Sequence, residues 1–224
     1  MGYGSRCMES IVSGVGVLDK SVALVDLVAA GPLSLAELTA RSGLSRATAH
    51  RLAVALEQHG LLRRIDDGRW ALGLHLVALG RRATEQFPLA SAAAPALAGL
   101  RDATGESVQL YVREGESRVC VAALESPHGL RTIVPVGAAL PLEVGSAGRV
   151  LLGEVPRQGW SQTVGEREPG VASVSAPVLG DDGEVLAAIS VSGPIDRLGK
   201  QPGKLHGDAV LAAASQVHEA LRAG

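Results

Sequence analysis

Apolar residues recur at Ala49, Leu52, Ala53 and Leu56 within LSRATAHRLAVALEQHGLL, residues 44–62, which is the i, i+3, i+4, i+7 spacing of one buried helical face. The opposite face carries Arg46, Ala47, His50, Arg51 and Val54, so a helix docked by its leucines turns two arginines and a histidine to solvent. Ser45 stands just before the first turn, where its hydroxyl can accept an otherwise unpaired backbone N–H. Upstream, VLDKSVALVDLVAA places apolar residues at 17, 18, 22, 24, 25, 27 and 28 and runs into Gly31-Pro32, a helix stop. Ser34, with Glu37 three residues on, forms the capping box of a second helix that runs to about Ser42, and Gly43-Leu44 supplies a turn. Three helices, the last two joined by a short glycine-containing turn, predict a helix-turn-helix with residues 44–62 as its recognition helix.

Beyond it, LLRRI and RWALG flank Asp66-Asp67-Gly68, the pattern of a β-hairpin. A hairpin in this place is a wing, and Arg63, Arg64 and Arg69 on it are placed to reach phosphates beside the groove that the helix enters. Trp70 is expected to pack the wing onto the body rather than to touch DNA. GLHLVALGRRATEQ reads as a connecting helix, and Phe87-Pro88 marks a domain boundary. The alanine-rich stretch 89–104 is a helix ending at Gly105. From there the period changes: SVQLYVREGESRVCVAALES suggests a hairpin about Glu114-Gly115-Glu116, and TIVPVG a short extended piece. GSAGRVLLG is a glycine-led helix start, GVASVSAPV and EVLAAISVSGPI are strands joined at Gly180–Gly183, and GDAVLAAASQVHEALRA is a closing helix. The expected division is a mobile leader over 1–13, a winged helix-turn-helix over 14–72, a linker helix over 73–88 and an α+β domain with an antiparallel sheet over 89–224.

Composition sharpens this picture in two places. Hydrophobic residues are 46% of the 224 but aromatics only 2%, so the cores must be built from Ala, Leu and Val. The net charge is only −2, yet residues 41–82 hold eight arginines against Glu57, Asp66 and Asp67. A basic module joined to an acidic remainder suits a polyanion-binding head on a separate body. Cys7 and Cys120 lie far apart without CxxC or Cys/His spacing, which argues against a zinc module or a disulfide framework and fits a reducing compartment. No apolar run is long enough to span a bilayer and no basic-then-apolar leader is present, so a cytoplasmic protein without membrane, metal or cofactor is expected.

SGVGVLDKSVALVDLVAAGPLSLAELTARSGLSRATAHRLAVALEQHGLLRR and GRWALG resemble the N-terminal domain of IclR-type bacterial transcription regulators. LPLEVGSAGRVLLG, GEREPGVASVSAPV and AAISVSGPIDRL resemble the stretches of that family's effector-binding domain, which is GAF-like. SGVGVLDK, TGESVQLY and GEREPGVASVSAPV are most similar to the actinobacterial NdgR/LtbR group, associated with leucine and other amino-acid biosynthesis genes. One departure stands out: the family has further helical sequence between LLGEVP and RQGW, where this chain passes almost directly from one to the other. Loss of a helix there would expose apolar core, which favours residues missing between Glu154 and Arg157 over a deletion.

The two domains imply two sites. Arg46 and Arg51 can each make bidentate bonds to guanine, Thr48 and His50 are weaker base contacts, and the start of the helix at Ser45 joins Arg63, Arg64 and Arg69 on phosphates. The resemblance implies an effector held by the N–H groups of Ser146 and Ala147 and by the side chains of Ser173, Ser190 and Ser192, with Thr163 at a position that is acidic in some members. Leu140, Leu142 and Val144 are candidates for an apolar wall. The implied partners are a double-stranded DNA operator, a carboxylate or amino-acid effector, and a second copy of the chain. One head buries too little surface for tight specific binding, so a homodimer or dimer of dimers on a palindromic site is expected. Two other readings compete. A bifunctional enzyme with a DNA-binding head would use Glu166 and Glu168 as paired carboxylates or Cys120 as a nucleophile, but the motif partners for such chemistry are missing. A winged-helix protein-interaction module would bind without DNA.

Overall fold

The computed structural model describes residues 13–223, and the chain divides into two compact units, Met1–Ala83 and Thr84–Gly224. The expected leader lies outside the described residues except for Ser13, whose N–H and hydroxyl both donate to Asp19 Oδ1, at 3.0 and 2.6 Å.

The first unit contains α1 (Gly16–Ala29), α2 (Leu35–Ser42), α3 (Arg46–Gln58), a two-stranded wing of β1 (Leu62–Arg64) and β2 (Trp70–Leu72), and α4 (His75–Glu85), within which the division between the units falls. Both halves of the capping box form, with Ser34 N–H donating to Glu37 Oε2 at 2.8 Å and Glu37 N–H to Ser34 Oγ at 3.3 Å. Gly43 ends α2 at φ +67°, a left-handed conformation that a side chain resists, and so turns the chain into α3. Leu24, Val28, Leu38, Ala53, Leu56, Leu62 and Trp70 form one core, and Leu33 joins it through paired backbone bonds to Trp70. Trp70, 1% exposed, thus pins the wing to the helices. Val54, expected on the outer face of α3, packs against this core instead, and Leu52 is only half-buried. The core lies to one side of the expected stripe.

The second unit is an antiparallel sheet, in the order β5-β4-β3-β8-β7-β6, between helices. Its strands are β3 (Ser107–Glu114), β4 (Ser117–Leu124), β5 (Ala139–Pro141), β6 (Ser161–Val164), β7 (Val171–Leu179) and β8 (Val185–Pro194). One face packs on α5 (Pro88–Thr104) and α8 (Pro202–Ala223) through Val108, Leu110, Ala172, Val174, Ala176, Ile189 and Val191. Because successive side chains of a strand point to opposite faces, this arrangement turns Gln109, Tyr111, Ser173, Ser175, Ser190 and Ser192 to the other face. There Tyr111 packs with Ala147, Val150 and Leu151 of α6 (Ser146–Leu151). A single turn, α7 (Ile195–Leu198), separates β8 from α8.

Three readings are corrected. TIVPVG is not a strand but an irregular segment, tied to the sheet by Gly137 N–H donating to Cys120 O at 2.7 Å, and its Pro135 has no N–H for a ladder. β5 and β6, too short to display alternation, were not anticipated. α8 starts at Pro202 rather than Gly207, using proline where its missing N–H costs nothing.

The short connection 152–160 closes in tight turns, with Glu154 N–H on Arg149 O at 2.8 Å and Gly159 N–H on Pro156 O at 2.8 Å. The core that a lost helix would have bared is partly covered, because Trp160 lies against Gly203 and Gly207 and Gln162 Oε1 accepts the Gly203 N–H at 2.8 Å. Leu152 and Leu205 remain exposed beside it.

Candidate nucleic-acid interface and effector pocket

In the head, Ser45 accepts the Thr48 N–H at 3.3 Å and lies 2.9 Å from Thr48 Oγ1, so these two hydroxyls satisfy each other and the first turn of α3. Arg46, His50 and Arg51 are exposed on the next turns and have no side-chain partner among the described residues. The wing arginines divide. Arg63 is exposed and has no side-chain partner among the described residues, whereas Arg64 lies over the Trp70 ring at 4.3 Å with Glu57 3.8 Å away. Arg69 donates from Nε to Asp67 Oδ2 at 2.6 Å, an exposed pair whose exchange for a phosphate costs little.

In the second unit, a cavity of about 20 Å³ lies between the sheet and the start of α6. All five effector residues inferred from the motifs, Ser146, Ala147, Ser173, Ser190 and Ser192, line it, as does Thr163. The sheet register explains the convergence, since Ser173 pairs with Ser192, Ser175 with Ser190, and Ser190 in turn with Gln109. The hydroxyls form a chain: Thr163 to Ser173 at 3.1 Å, Ser173 to Ser146 at 2.8 Å, Ser146 to Ser175 at 2.7 Å and Ser175 to Ser190 at 2.9 Å. Ser192 donates to Gln109 Oε1 at 3.0 Å. Each hydroxyl both donates and accepts, so the chain can re-pair around a ligand.

Gln109, Tyr111, Arg118 and Arg167 also line the cavity, and sequence reasoning missed all four. Arg118, 3% exposed, donates from Nη1 to the carbonyls of Pro141 and Val144 and stands 5.4 Å from the Tyr111 ring centroid, and its buried Nε has no hydrogen-bond partner among the described residues. Burial lowers its pKa, yet a guanidinium remains a cation. Burial also raises the Tyr111 phenol, which stays protonated as a donor. Ser175 could have been found, because it stands two residues from Ser173 and strand period puts both on one face. The arginines carried no such signal.

The expected apolar wall is absent, since Leu140, Leu142 and Val144 do not line the cavity. Leu142 is buried with Cys120 and Val150 instead, and its carbonyl lies where a Cβ on Gly148 would come within 1.8 Å. The residues of the enzyme reading are otherwise occupied. Glu166 accepts the Gly145 N–H at 2.9 Å with one oxygen and Arg149 Nη2 at 2.6 Å with the other, while Glu168 lies 3.9 Å from Arg167. The Cys120 thiol is pushed up to about 12 by burial, far from a reactive thiolate at neutral pH.

Residues 17–66 match the model of the IclR helix-turn-helix domain, and residues 81–158 and 152–219 match that of the bacterial transcriptional regulator IclR C-terminal domain. The chain belongs to the IclR family. This IclR-family protein is therefore a DNA-binding transcription regulator with an effector-sensing C-terminal domain. The two C-terminal matches meet at the short connection after α6. Among its relatives, the transcriptional repressor IclR of Escherichia coli is 25% identical, over 84% of this chain and 82% of its own length. The glycerol operon regulatory protein of Streptomyces coelicolor is 26% identical, over 87% and 91%. In fold, the chain is similar to an IclR homologue from Microbacterium hydrocarbonoxydans complexed with 4-hydroxybenzoate, at TM-score 0.79 and 22% identity over 93% of this chain and all of that one. It is also similar to Thermotoga maritima IclR, at TM-score 0.74 and 20% identity, over 91% and 98%. No described helix is long and apolar enough to cross a membrane.

Proposed function

We propose that this IclR-family regulator represses its target genes by reading a palindromic operator as a homodimer or dimer of dimers in the cytoplasm. In this reading the head is 14–72, the linker 73–88 and the sensor 89–224. Arg46 and Arg51 read guanine edges, with His50 and Thr48 as lesser contacts. The Ser45-capped start of α3 and Arg63, Arg64 and Arg69 hold phosphates. A carboxylate or amino acid enters the cavity, taking hydrogen bonds from Ser146, Ala147, Ser173, Ser190 and Ser192, and favours one of two dimer states that differ in DNA affinity. That a homologue of the same fold is complexed with 4-hydroxybenzoate, itself a small carboxylate, supports this. The finer resemblance to the NdgR/LtbR group points to leucine or other amino-acid biosynthesis genes as targets.

The observation that carries the reading is the outer face of α3, where Arg46, His50 and Arg51 stand exposed with no side-chain partner among the described residues, on a helix otherwise committed to its core. The test is selection of genomic fragments on the purified full chain, with and without branched amino acids and 2-oxo acids. Enrichment of palindromic sites, released by one class of metabolite, is expected. Recovery of all fragments alike, or retention of none, overturns it.

A further inference from the structure

The sheet of the second unit ends on β6, and no strand among the described residues pairs with its outer side. Gly165 N–H donates inward to Val171 O at 2.7 Å, in step with the pairs Thr163–Ser173 and Ser161–Ser175. Strand alternation therefore turns the N–H and C=O of Gln162 and Val164 outward, where they have no backbone partner among the described residues. Such an edge is a template for another strand unless proline, lysine or a bulge blunts it. The opposite edge, β5, carries Pro141, which has no N–H to offer. SQTV, the whole of β6, carries none of these devices, and its register with β7 is unbroken. The family's C-terminal domain matches in two pieces that overlap at 152–158, so the stretch that the family carries ahead of β6 is absent here.

We propose that β6 pairs antiparallel with the β6 of a second copy, so that two sensor sheets join into one. This names one interface of the assembly proposed above and rests on that assembly forming. Centred on Thr163, the pairing sets Gln162 opposite Val164 of the second copy and satisfies the outward backbone of both. A second copy is the occupant because the charges about the edge complement themselves. Glu154 and Arg157 on the connection, and Lys204 and Asp208 on α8, are exposed without side-chain partners among the described residues. Lys204 and Asp208 share the face of α8 whose Leu211 lies against Gly159. Charges of both signs in equal number give a copy turned about a twofold axis an opposite for each, whereas a partner of one predominant sign meets repulsion. Leu152, Val164 and Leu205, exposed at this end, add apolar surface to cover. The pairing also brings the two cavities onto one face of a common sheet, with Thr163 of each copy, the first hydroxyl of its chain, beside the twofold axis.

The test measures the mass of the full chain by sedimentation velocity, with melting followed by circular dichroism as the folding control. Val164→Pro removes an outward N–H and leaves the ladder to β7 intact, and Val164→Lys places a charge on the edge. At a concentration where the wild type is fully assembled, each folded variant is expected to show half its mass. Thr163→Cys stands at the non-hydrogen-bonded centre, where Cα atoms approach to about 4.5 Å, and is expected to give a disulfide between copies on oxidation, identified by its peptide mass. If Val164→Pro does not fold, Val164→Lys and the disulfide decide. A monomeric wild type overturns both this interface and the assembly. An assembled wild type whose mass the folded Val164 variants do not lower, or whose Thr163→Cys variant forms no such disulfide, overturns the interface alone and leaves the assembly standing.

Discussion

The Glu166 carboxylate accepts the Gly145 N–H at 2.9 Å, tying the connection after β6 to the residue that opens α6. Its other oxygen takes Arg149 of the same helix, so one side chain holds both ends of the first turn that carries Ser146. Glu166→Ala should lower the stability of the second unit by about 1 kcal/mol. It should also weaken effector binding several-fold, because Ser146 anchors the hydroxyl chain. Trp160 is the only tryptophan of the second unit, so its fluorescence during urea denaturation reads the loss.

Gly148→Ala should have a larger effect at the same place. Its Cβ would meet Leu142 O at 1.8 Å, and backbone cannot step aside as a flexible side chain can. α6 must move, and effector binding should fall below detection by calorimetry while the head still binds DNA in a gel shift.

Trp70→Ala removes the largest buried side chain of the head and should cost about 3–5 kcal/mol. Operator binding should be lost in a gel shift. The denaturation of the second unit, followed through Trp160, should be unchanged.

Arg46→Ala and Arg63→Ala should part company. The first should cost about 1–3 kcal/mol at one base position and relax preference there, as measured by competition among operator variants. The second should weaken all sequences alike and reduce the slope of log K against log salt by about one.

Acid should loosen the head in a defined direction. The backbone and hydroxyl bonds from Ser34 hold the Glu37 carboxyl below its ordinary 4.5, and the backbone N–H and guanidinium of Arg69 lower Asp67 in the same direction. A depressed folded pKa gives stability that is present above the unfolded value and lost as pH falls through the folded one. Melting temperature of the head should therefore decline as pH falls below about 4.5. Ser34→Ala should lower stability by about 1 kcal/mol at neutral pH and make that decline shallower.

Much of the head was legible in the chain because its determinants are local. Ser34, Glu37, Gly43 and Ser45 act within four residues of themselves, through caps and one left-handed turn, so reading them in order recovers the helix-turn-helix. The polar face of the sheet was half legible. Serines at 173, 175, 190 and 192 share a face by period alone, but pairing Ser173 with Ser192 and Ser190 with Gln109 needs the register of strands far apart in sequence. The side of α3 that Val54 takes, the withdrawal of Leu142 from the cavity, and the arrival there of Arg118 and Arg167 belong to the tertiary structure. They depend on which elements pack together, and nothing within a few residues of those positions determines that.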